Sequence, residues 1–430
     1  MGTSNHVFGK FKSKLGDSKL AQKLADNIEG EVLFDRFSRG LYSTDASIYQ
    51  IEPIGIVVPK RTEDIESVIA IAGQEGLPLL ARGGGTSQCG QTVGESLIID
   101  TSKHLNRIFD VDLVSKSIWV EPGVILDHLN SALKPYGLWF PVDVSTSSRA
   151  TIGGMAGNNS CGSRSIRYGT MRDNVRAIDA IFPNGESMCF GEIGNNKDLE
   201  QLSRQNKSTV KKLLAIGNKN CKIINSQFPN LMRRVGGYNV DALLPNGSPK
   251  GEWVGGTVFA PSLCPNLAHL LVGSEGTLSF SKRIQLDLQP IPGQKVLGVC
   301  HFPTFYEAME ATQQIVKLRP TAVELVDSTM INLARDIPLF KKTVDAFTAG
   351  QPDAILLVEF AGDDKSLLLN ELKTLDQLMS DLGFFNSVIE AVDQGFQKAI
   401  WEVRKAGLNI MMSMKGDGKP ISFIEDCAVR

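Results

Sequence analysis

The apolar positions in the first part of the chain alternate between strand-like and helix-like runs. Ile54–Val58 is a short β-branched run closed by Pro59, which is typical of a buried strand. In Glu63–Gly76 the apolar residues recur three and four positions apart, which predicts an amphipathic helix. Leu77–Ala81 is then a second short apolar run. Together these runs predict a strand–helix–strand unit.

The alternation continues to about residue 290. Asn184-Gly185 lies between two apolar runs and predicts a tight β-hairpin. The other predicted elements are the strands Leu97–Asp100, Arg107–Val111, Ser117–Val120, Val175–Phe182, Glu186–Phe190 and Ser279–Leu288 and the helical stretches Asp127–Leu133 and Leu199–Ile224. Near the N-terminus, Leu20, Leu24 and Ile28 have helical spacing, and Asp35–Ala46 is interpreted as a connector.

Beyond Pro290–Gly293 the order of elements predicts a separate layer of helices and strands. The predicted strands are Val296–His301, Ala322–Val326 and Ala354–Phe360, and the predicted helices are Thr304–Lys317, Ser328–Asp336 and Lys365–Leu382. A chain of 430 residues is long enough for two or three domains of this kind.

Charge and composition exclude several classes of protein. With 45 Lys and Arg against 47 Asp and Glu, the chain lacks the basic face that a nucleic-acid binder needs. No apolar run approaches the ~20 residues of a membrane span. The seven cysteines are scattered and form no CxxC pair, which argues against a zinc or iron–sulfur site and favours reduced thiols. We therefore expect a cytoplasmic protein, with peripheral attachment to the inner membrane as an alternative.

Glycine is the unusual residue, at 41 of 430, above the usual ~7%. One cluster is Gly83, Gly84, Gly85, Gly90 and Gly94, and the second is Gly153, Gly154, Gly157, Gly162 and Gly169. Consecutive glycines allow backbone amides to converge on an anion. Two irregular turns are the alternative. Neither cluster has the Gly-Lys-Ser/Thr of a P-loop, and the first runs on into a strand, whereas a Rossmann loop opens into a helix.

Seven motifs occur in an order that resembles the FAD-linked oxidases of the vanillyl-alcohol-oxidase type. They lie at Pro59, Arg82–Gly90, Pro122-Gly123, Ala150–Gly154, Arg167–Gly169, Asp173–Val175 and Gly273–Thr277. Further segments at 43–49, 159–165 and 411–429 are similar to the large bacterial flavin and iron–sulfur dehydrogenases of D-2-hydroxyacids, D-2-hydroxyglutarate or D-lactate. Glycolate oxidase flavin subunits are slightly further relatives.

The resemblance implies an α+β fold. A two-subdomain FAD-binding domain of the p-cresol-methylhydroxylase type at 49–290 would follow a helical extension at 1–48. A partial, ferredoxin-like cap or substrate domain would occupy 291–430, because family members continue beyond this point and we expect a C-terminally truncated polypeptide. Any iron–sulfur clusters would lie in the missing part.

The resemblance also implies a FAD site. The residues expected to hold the cofactor are Arg82, Gly83, Gly84, Gly85, Thr86, Ser87, Gly90, Pro141, Asp143, Thr151, Gly153, Gly154, Gly157, Asn158, Ser160, Gly162, Tyr168 and Glu275. Flavin-tethering members carry His where Thr86 stands, so we expect non-covalent FAD. Cys161 is an alternative thiol tether.

The substrate residues expected from the resemblance are fewer. Arg404, in Trp401-Glu402-Val403-Arg404, matches the arginine that pairs with the substrate carboxylate, and a guanidinium suits that task; an ordinary helix ion pair is the alternative. Lys415 or Lys419 is a candidate for a second carboxylate, with Lys419 preferred. Tyr238 and Asn239 are candidates for the substrate mouth, although a solvated turn there is equally compatible.

The expected reaction is oxidation of a D-2-hydroxyacid to the 2-oxoacid by hydride transfer to flavin N5. An iron–sulfur protein or a quinone would take the electrons, and homo-oligomerisation is left open. Relatives use histidines after the Trp–Arg motif as base and metal ligands, but the five histidines here all precede Arg404. No catalytic residue or metal ligand is therefore assigned, and a non-catalytic FAD-holding subunit or an inactive fragment is the alternative.

Overall fold

The computed structural model describes residues 14–194, 199–229, 231, 233–244, 264–412, 414–416, 418 and 420–421. The fifteen helices of these residues are α1 (Ser18–Ala25), α2 (Arg36–Tyr42), α3 (Thr62–Glu75), α4 (Leu126–Leu133), α5 (Ile152–Asn158), α6 (Ser165–Tyr168), α7 (Met171–Asn174), α8 (Arg204–Gln227), α9 (Ala268–Leu271), α10 (Phe305–Ile315), α11 (Ser328–Arg335), α12 (Pro338–Phe347), α13 (Lys365–Asp381), α14 (Gln394–Lys405) and α15 (Gly407–Met412).

The strands form four sheets. They are β1 (Glu31–Leu33), β2 (Gly55–Val58), β3 (Leu79–Arg82), β4 (Leu97–Asp100), β5 (Ile108–Asp112), β6 (Ser117–Val120), β7 (Leu138–Trp139), β8 (Val175–Ile181), β9 (Ser187–Phe190), β10 (Phe280–Asp287), β11 (Gln289–Pro290), β12 (Gln294–Phe302), β13 (Ala322–Asp327), β14 (Ala354–Gly362) and β15 (Val388–Ala391). The mixture of helices and sheets confirms the α+β prediction.

The first sheet has the order β1-β2-β4-β3, with β2, β4 and β3 parallel and β1 antiparallel at the edge. Both faces of β2 and β4 are covered, and each strand is buried along its whole length. Helix α3 crosses between β2 and β3, as the strand–helix–strand pattern predicts. Arg82 ends β3, so the first glycine cluster starts at the carboxyl end of a strand in this parallel sheet.

The interpretation of Asp35–Ala46 as a connector is wrong, because the segment contains α2. Asp35 caps this helix by accepting a hydrogen bond from the Ser38 amide at 2.9 Å. The helix buries no residue, and Phe37 and Leu41 are exposed. Its sequence therefore lacks the buried apolar stripe by which a helix is recognised.

The second sheet is antiparallel, with the order β5-β6-β10-β8-β9. The predicted hairpin is present: β8 pairs with β9, and the Gly185 amide donates to the Phe182 carbonyl at 2.9 Å. The pair β7 and β11 forms a small separate sheet. Residues from β6, β8, β10 and α5 share one large apolar core, so the second glycine cluster is anchored in this core.

The last sheet has the order β13-β14-β12-β15, and all its pairs are antiparallel. Counted from β12, this is the strand order 4-1-3-2 of a ferredoxin-like fold, with α10 and α13 as the two crossover helices. The sequence did not predict α12, β15 or α14. The strand β15 has only four residues and one buried side chain, which leaves little pattern to detect.

Candidate cofactor and substrate cleft

A cleft with a volume of about 1120 Å³ runs between the two glycine clusters and the ferredoxin-like layer. Its walls combine the loop after β3, the start of α5 and the segment after it, the turn before β10, and side chains of β12, β13, β14 and α14. The volume exceeds the ~300–1,000 Å³ of an ordinary small-ligand pocket. The cleft can therefore hold an extended ligand together with a smaller one.

The first two residues of the loop after β3 must be glycine because this loop packs closely against the segment before α5. A Cβ atom on Gly83 would lie 2.1 Å from Thr151 Oγ1, and one on Gly84 would lie 2.3 Å from the Arg149 carbonyl oxygen. Thr86 and Ser87 follow and also line the cleft. The loop of the first glycine cluster and the start of α5 are thus in contact where they line the cleft.

Arg82 lines the cleft, but its guanidinium is engaged by the protein itself. It donates to the carbonyl oxygens of Tyr42 and Thr92 at 3.1 Å and of Thr44 at 2.7 Å. Burial lowers the pKa of Arg82, and nearby Asp45 and Asp100 oppose this shift. The side chain therefore ties the N-terminal segment to the glycine loop.

Gly90 lies outside the cleft lining. Its φ of 80° is left-handed, and a Cβ atom there would collide with the Tyr49 ring, which explains why this position is glycine.

Three glycines of the second cluster, Gly153, Gly154 and Gly157, lie in a helix, α5, which the sequence did not predict. Thr151 caps it by accepting from the Gly154 amide at 3.3 Å. Gly153 fits because a Cβ atom there would lie 2.5 Å from Pro122 Cβ. Gly153, Gly154 and Gly157 line the cleft. Glycine has low helix propensity, so the packing of this helix outweighs its composition.

The segment after α5 is held by Asp143. The carboxylate of Asp143 accepts from Ser163 Oγ at 2.6 Å, from the Arg164 amide at 3.0 Å and from Arg164 Nη1 at 2.9 Å. Gly162 packs so closely on Asp143 that a Cβ atom would lie 1.4 Å from its carbonyl oxygen. Asp143 thus shapes the cleft wall with its carboxylate already in use.

Four other predicted residues take up different positions around this wall. Asn158 Nδ2 donates to Ser160 Oγ at 2.9 Å, and both residues line the cleft. Pro141 and Tyr168 are buried behind the lining. The Tyr168 ring meets the cleft residue Trp139 edge-on, with 5.5 Å between centroids. Pro141 and Tyr168 thus support the wall and do not line the cleft themselves.

Glu275 projects from the turn before β10. Its φ of 53° is left-handed, and its amide donates to the Gly157 carbonyl at 3.0 Å, which joins the turn to α5. The side chain is exposed to solvent in the cleft. Even so, the surrounding protein removes enough of its hydration to raise the pKa of Glu275 to about 7. A carboxyl group that titrates near neutrality therefore lies on the cleft wall.

Arg404 lies in the cleft lining on α14, where it forms an ion pair. Its Nε donates to Glu324 Oε1 at 2.9 Å, and Nη2 contacts the same oxygen. Three residues earlier, the Trp401 ring lies under the Arg164 guanidinium, 5.0 Å from its carbon. The structure thus contains both features anticipated for Arg404, a place in the cleft and an intramolecular partner.

The other predicted substrate residues lie elsewhere. Asn239 is buried and fully engaged, since it accepts from Arg172 and Arg234 and donates to the carbonyls of Val272 and His269. It supports the fold behind the cleft, which does not favour its prediction as a substrate ligand. Tyr238 is exposed, and its hydroxyl bonds Thr277 Oγ1 at 2.7 Å, outside the cleft lining. Lys419 lies outside the described residues, and Lys415 is not in the cleft lining.

Five charged cleft residues of the ferredoxin-like layer were not predicted from the sequence: Lys295, Glu324, Glu359, Lys398 and Lys405. Arg164, which lies in the motif segment 159–165, forms an ion pair with Glu359 across 195 positions of sequence. Burial opposes ionisation of Glu359, but the charges of Arg164 and Lys295 hold its pKa below the usual value. Glu359 stands near the end of the otherwise apolar run 354–360, and a charge in such a run is a sequence signal of a buried ion pair.

Within the described ranges, no three His, Cys, Asp or Glu side chains are grouped so that they could hold a metal ion. No helix of the described chain combines the length and apolarity needed to span a membrane.

Comparison with known proteins places this cleft in a family. Residues 53–190 match the model of the FAD binding domain, and residues 291–430 match that of the C-terminal domain of FAD linked oxidases. The chain is 31% identical over 404 residues to D-2-hydroxyglutarate dehydrogenase of Escherichia coli, covering 90% of this chain and 38% of that protein. It is 30% identical over 423 residues to D-2-hydroxyglutarate dehydrogenase of Pantoea ananatis, covering 94% of this chain and 40% of that protein.

The chain thus spans about two fifths of the length of these curated relatives. Among solved structures, alkyldihydroxyacetonephosphate synthase superposes with a TM-score of 0.63 at 16% identity, covering 92% of this chain and 64% of that one. This likeness concerns the fold alone. With the FAD binding domain and the C-terminal domain in order along one chain, the protein belongs to the FAD-linked oxidases.

Proposed function

We propose that the protein binds FAD non-covalently and takes part in oxidising a D-2-hydroxyacid, D-2-hydroxyglutarate or D-lactate, to the 2-oxoacid. The observation that carries this proposal is the shared cleft. Seven glycines of the two clusters line it, and Arg404 lines it from α14. A cofactor and a small carboxylic acid would therefore meet in the same cavity.

The residues present fit a dinucleotide. Gly83, Gly84 and Gly85 line the cleft without side chains, and the neighbouring Thr86 and Ser87 add hydroxyl groups. Gly157 is open on the cleft side, because a Cβ atom there would meet nothing closer than Glu275 Cα at 3.9 Å. These groups would hold the pyrophosphate and ribityl chain. FAD, when bound, would supply the hydride acceptor for C2 of the substrate.

Arg404 is the residue that we expect to bind the substrate carboxylate. Its guanidinium has five donors, and the contacts with Glu324 use only two of its nitrogens. Glu324 would hold the guanidinium in place while another edge faces the substrate. The reaction also needs a proton acceptor for the substrate hydroxyl and an acceptor for the electrons, an iron–sulfur protein, a quinone or another carrier; we assign no residue to either step.

A second candidate is a flavin-holding subunit without turnover of its own. The ion pair between Arg404 and Glu324 favours it, because a guanidinium neutralised within the protein binds a further carboxylate less strongly. The expected partner would then be a catalytic subunit of the same flavin system. The two candidates differ in whether the bound flavin is reduced by substrate.

Anaerobic bleaching of the flavin tests the proposal. The purified protein is loaded with FAD, and D-2-hydroxyglutarate or D-lactate is added without oxygen. Loss of visible flavin absorbance by either acid supports a dehydrogenase. Stable binding of FAD with no bleaching by either acid would favour the flavin-holding subunit. Release of the flavin by acid precipitation is expected for non-covalent binding, whereas flavin retained on the precipitate would contradict it.

A further inference from the structure

Lys295 lines the cleft, and its ammonium group has no hydrogen-bond partner among the described residues. The ammonium lies 4.0 Å from Glu359 Oε1 and 5.7 Å from the centroid of the Trp139 ring. A distance of 4.0 Å is too long for a hydrogen bond. The side chain is 31% exposed, so much of its hydration has been removed. Burial accordingly lowers the pKa of Lys295, with Glu359 in opposition.

Glu359 does not complete the coordination of Lys295, because its two oxygens already accept from Arg164. Nε donates to Oε1 at 2.8 Å and Nη2 donates to Oε2 at 2.7 Å. Asp143, the other carboxylate of this cluster, also accepts from Arg164. An ammonium has three donors, and a partly buried donor without an acceptor costs free energy. An anionic ligand in the cleft would supply the missing acceptor.

The backbone of Lys295 is held firmly on the cleft wall. It pairs with Ala361 in the register of β12 and β14, and its carbonyl oxygen accepts from Gln397 Nε2 at 2.9 Å. Gln397 lies on α14, the helix that also contains Trp401 and Arg404. The position of Lys295 relative to Arg404 is thereby fixed by the sheet and by the helix that packs on it.

The sheet register places Lys295 and Glu324, the partner of Arg404, at different positions along one face. Glu324, which holds Arg404, is opposite Leu357, and Lys295 is opposite Ala361 four residues further along β14. Opposed residues of an antiparallel pair point to the same face, so Glu324, Glu359 and Lys295 share it. With two strand spacings and four residues between them, the Cα atoms of Glu324 and Lys295 are about 16 Å apart. Arg404 and Lys295 are therefore held from different parts of this face, and each could bind a separate carboxylate.

We propose that Lys295 binds the second carboxylate of a dicarboxylic 2-hydroxyacid whose first carboxylate is bound by Arg404. Lys295 would thereby select dicarboxylic over monocarboxylic substrates. This inference rests on the proposed function for the role of Arg404, but it assigns a different residue. Trp139 forms an apolar side of the site, and Arg164 prevents Glu359 from competing for the ammonium.

Ligand binding without turnover tests the inference. The full chain loaded with FAD is titrated calorimetrically with glutarate and with butyrate, which lack the hydroxyl group and cannot be oxidised. The wild-type protein is expected to bind glutarate at least tenfold more tightly. In Lys295→Met this preference should fall to within about threefold, because the charge-assisted bond to the second carboxylate is lost. Lys295→Arg should retain part of it, and Lys342→Met, an exposed lysine of the same layer, should retain all of it.

A second measurement avoids reliance on a variant that fails to fold. Glutarate, but not butyrate, should protect Lys295 of the wild-type protein from reductive methylation, read by peptide mass spectrometry. The inference is overturned if the wild-type protein shows no preference for glutarate, if Lys295→Met keeps the full preference, or if both ligands weaken equally. Flavin bleaching is measured separately. A preference for glutarate that depends on Lys295, without any bleaching, would refute the proposed reaction but would still support the binding site at Lys295.

Discussion

Arg164 and Glu359 join the glycine-lined wall to the ferredoxin-like layer through a two-point ion pair, with bonds of 2.8 and 2.7 Å. Glu359 is 1% exposed, and Arg164 also binds Asp143 on its own side of the cleft. Arg167, one turn later, donates to the Ala361 carbonyl at 2.8 Å. Because the Arg164 guanidinium also stacks on Trp401, this pair fixes the helix of Arg404 relative to the cofactor wall.

We predict that Arg164→Met destabilises the protein strongly. It would leave the buried Glu359 carboxylate without its principal partner, and breaking a buried pair from one side costs about 3–5 kcal/mol. Chemical denaturation monitored by Trp fluorescence measures this loss. Arg335→Met provides the control, because Arg335 pairs with Asp345 at the surface, where an ion pair contributes about 0–1 kcal/mol. Equal losses in the two variants would contradict the assigned role of Arg164.

The glycines of the cleft differ in what they tolerate, and Gly162 is the least tolerant. A Cβ atom there would lie 1.4 Å from the Asp143 carbonyl oxygen, so Gly162→Ala must displace the backbone. We expect a loss of more than about 3 kcal/mol of unfolding free energy, beyond ordinary overpacking, and loss of FAD retention. Gly73→Ala is the matched control: Gly73 lies in α3 with open space around it, so alanine should stabilise by about 0.5–1 kcal/mol. Thermal unfolding and flavin content distinguish these outcomes.

The sequence was informative where a pattern is local. The run Ile54–Val58 and the hairpin at Asn184-Gly185 have a period or a turn signature, and both elements were found. Helix α5 was missed because its glycines mimic a loop, and α2 was missed because none of its residues is buried. The motifs predicted many of the residues that line the cleft, but no local signal pairs Arg164 with Glu359. That ion pair depends on tertiary packing between two distant segments.

Replacement of Arg404 tests the substrate side of the cleft. Lys cannot reproduce the geometry of a guanidinium that binds Glu324 and a carboxylate together. We expect Arg404→Lys to lower the second-order rate constant for reduction of the flavin by substrate about 10- to 100-fold. This is equivalent to about 1.5–3 kcal/mol. FAD affinity should not change, because Arg404 lies on α14 and not among the glycines that we expect to hold FAD. Stopped-flow bleaching and flavin titration measure the two effects, and a parallel loss of FAD would refute this assignment.

Glu275 should make FAD binding depend on pH. Burial raises the pKa of this carboxyl group to about 7, so it is mostly neutral below that pH and negatively charged above it. The cleft is proposed to hold an anionic pyrophosphate, and a new negative charge on its wall would repel it. We expect the affinity for FAD to fall as pH rises from 6 to 8 and expect Glu275→Gln to remove this dependence. Fluorescence titration of FAD at several pH values measures both effects. An affinity that instead rises with pH would mean that the ionised carboxylate accepts hydrogen bonds from the cofactor, and the electrostatic role proposed here would be wrong.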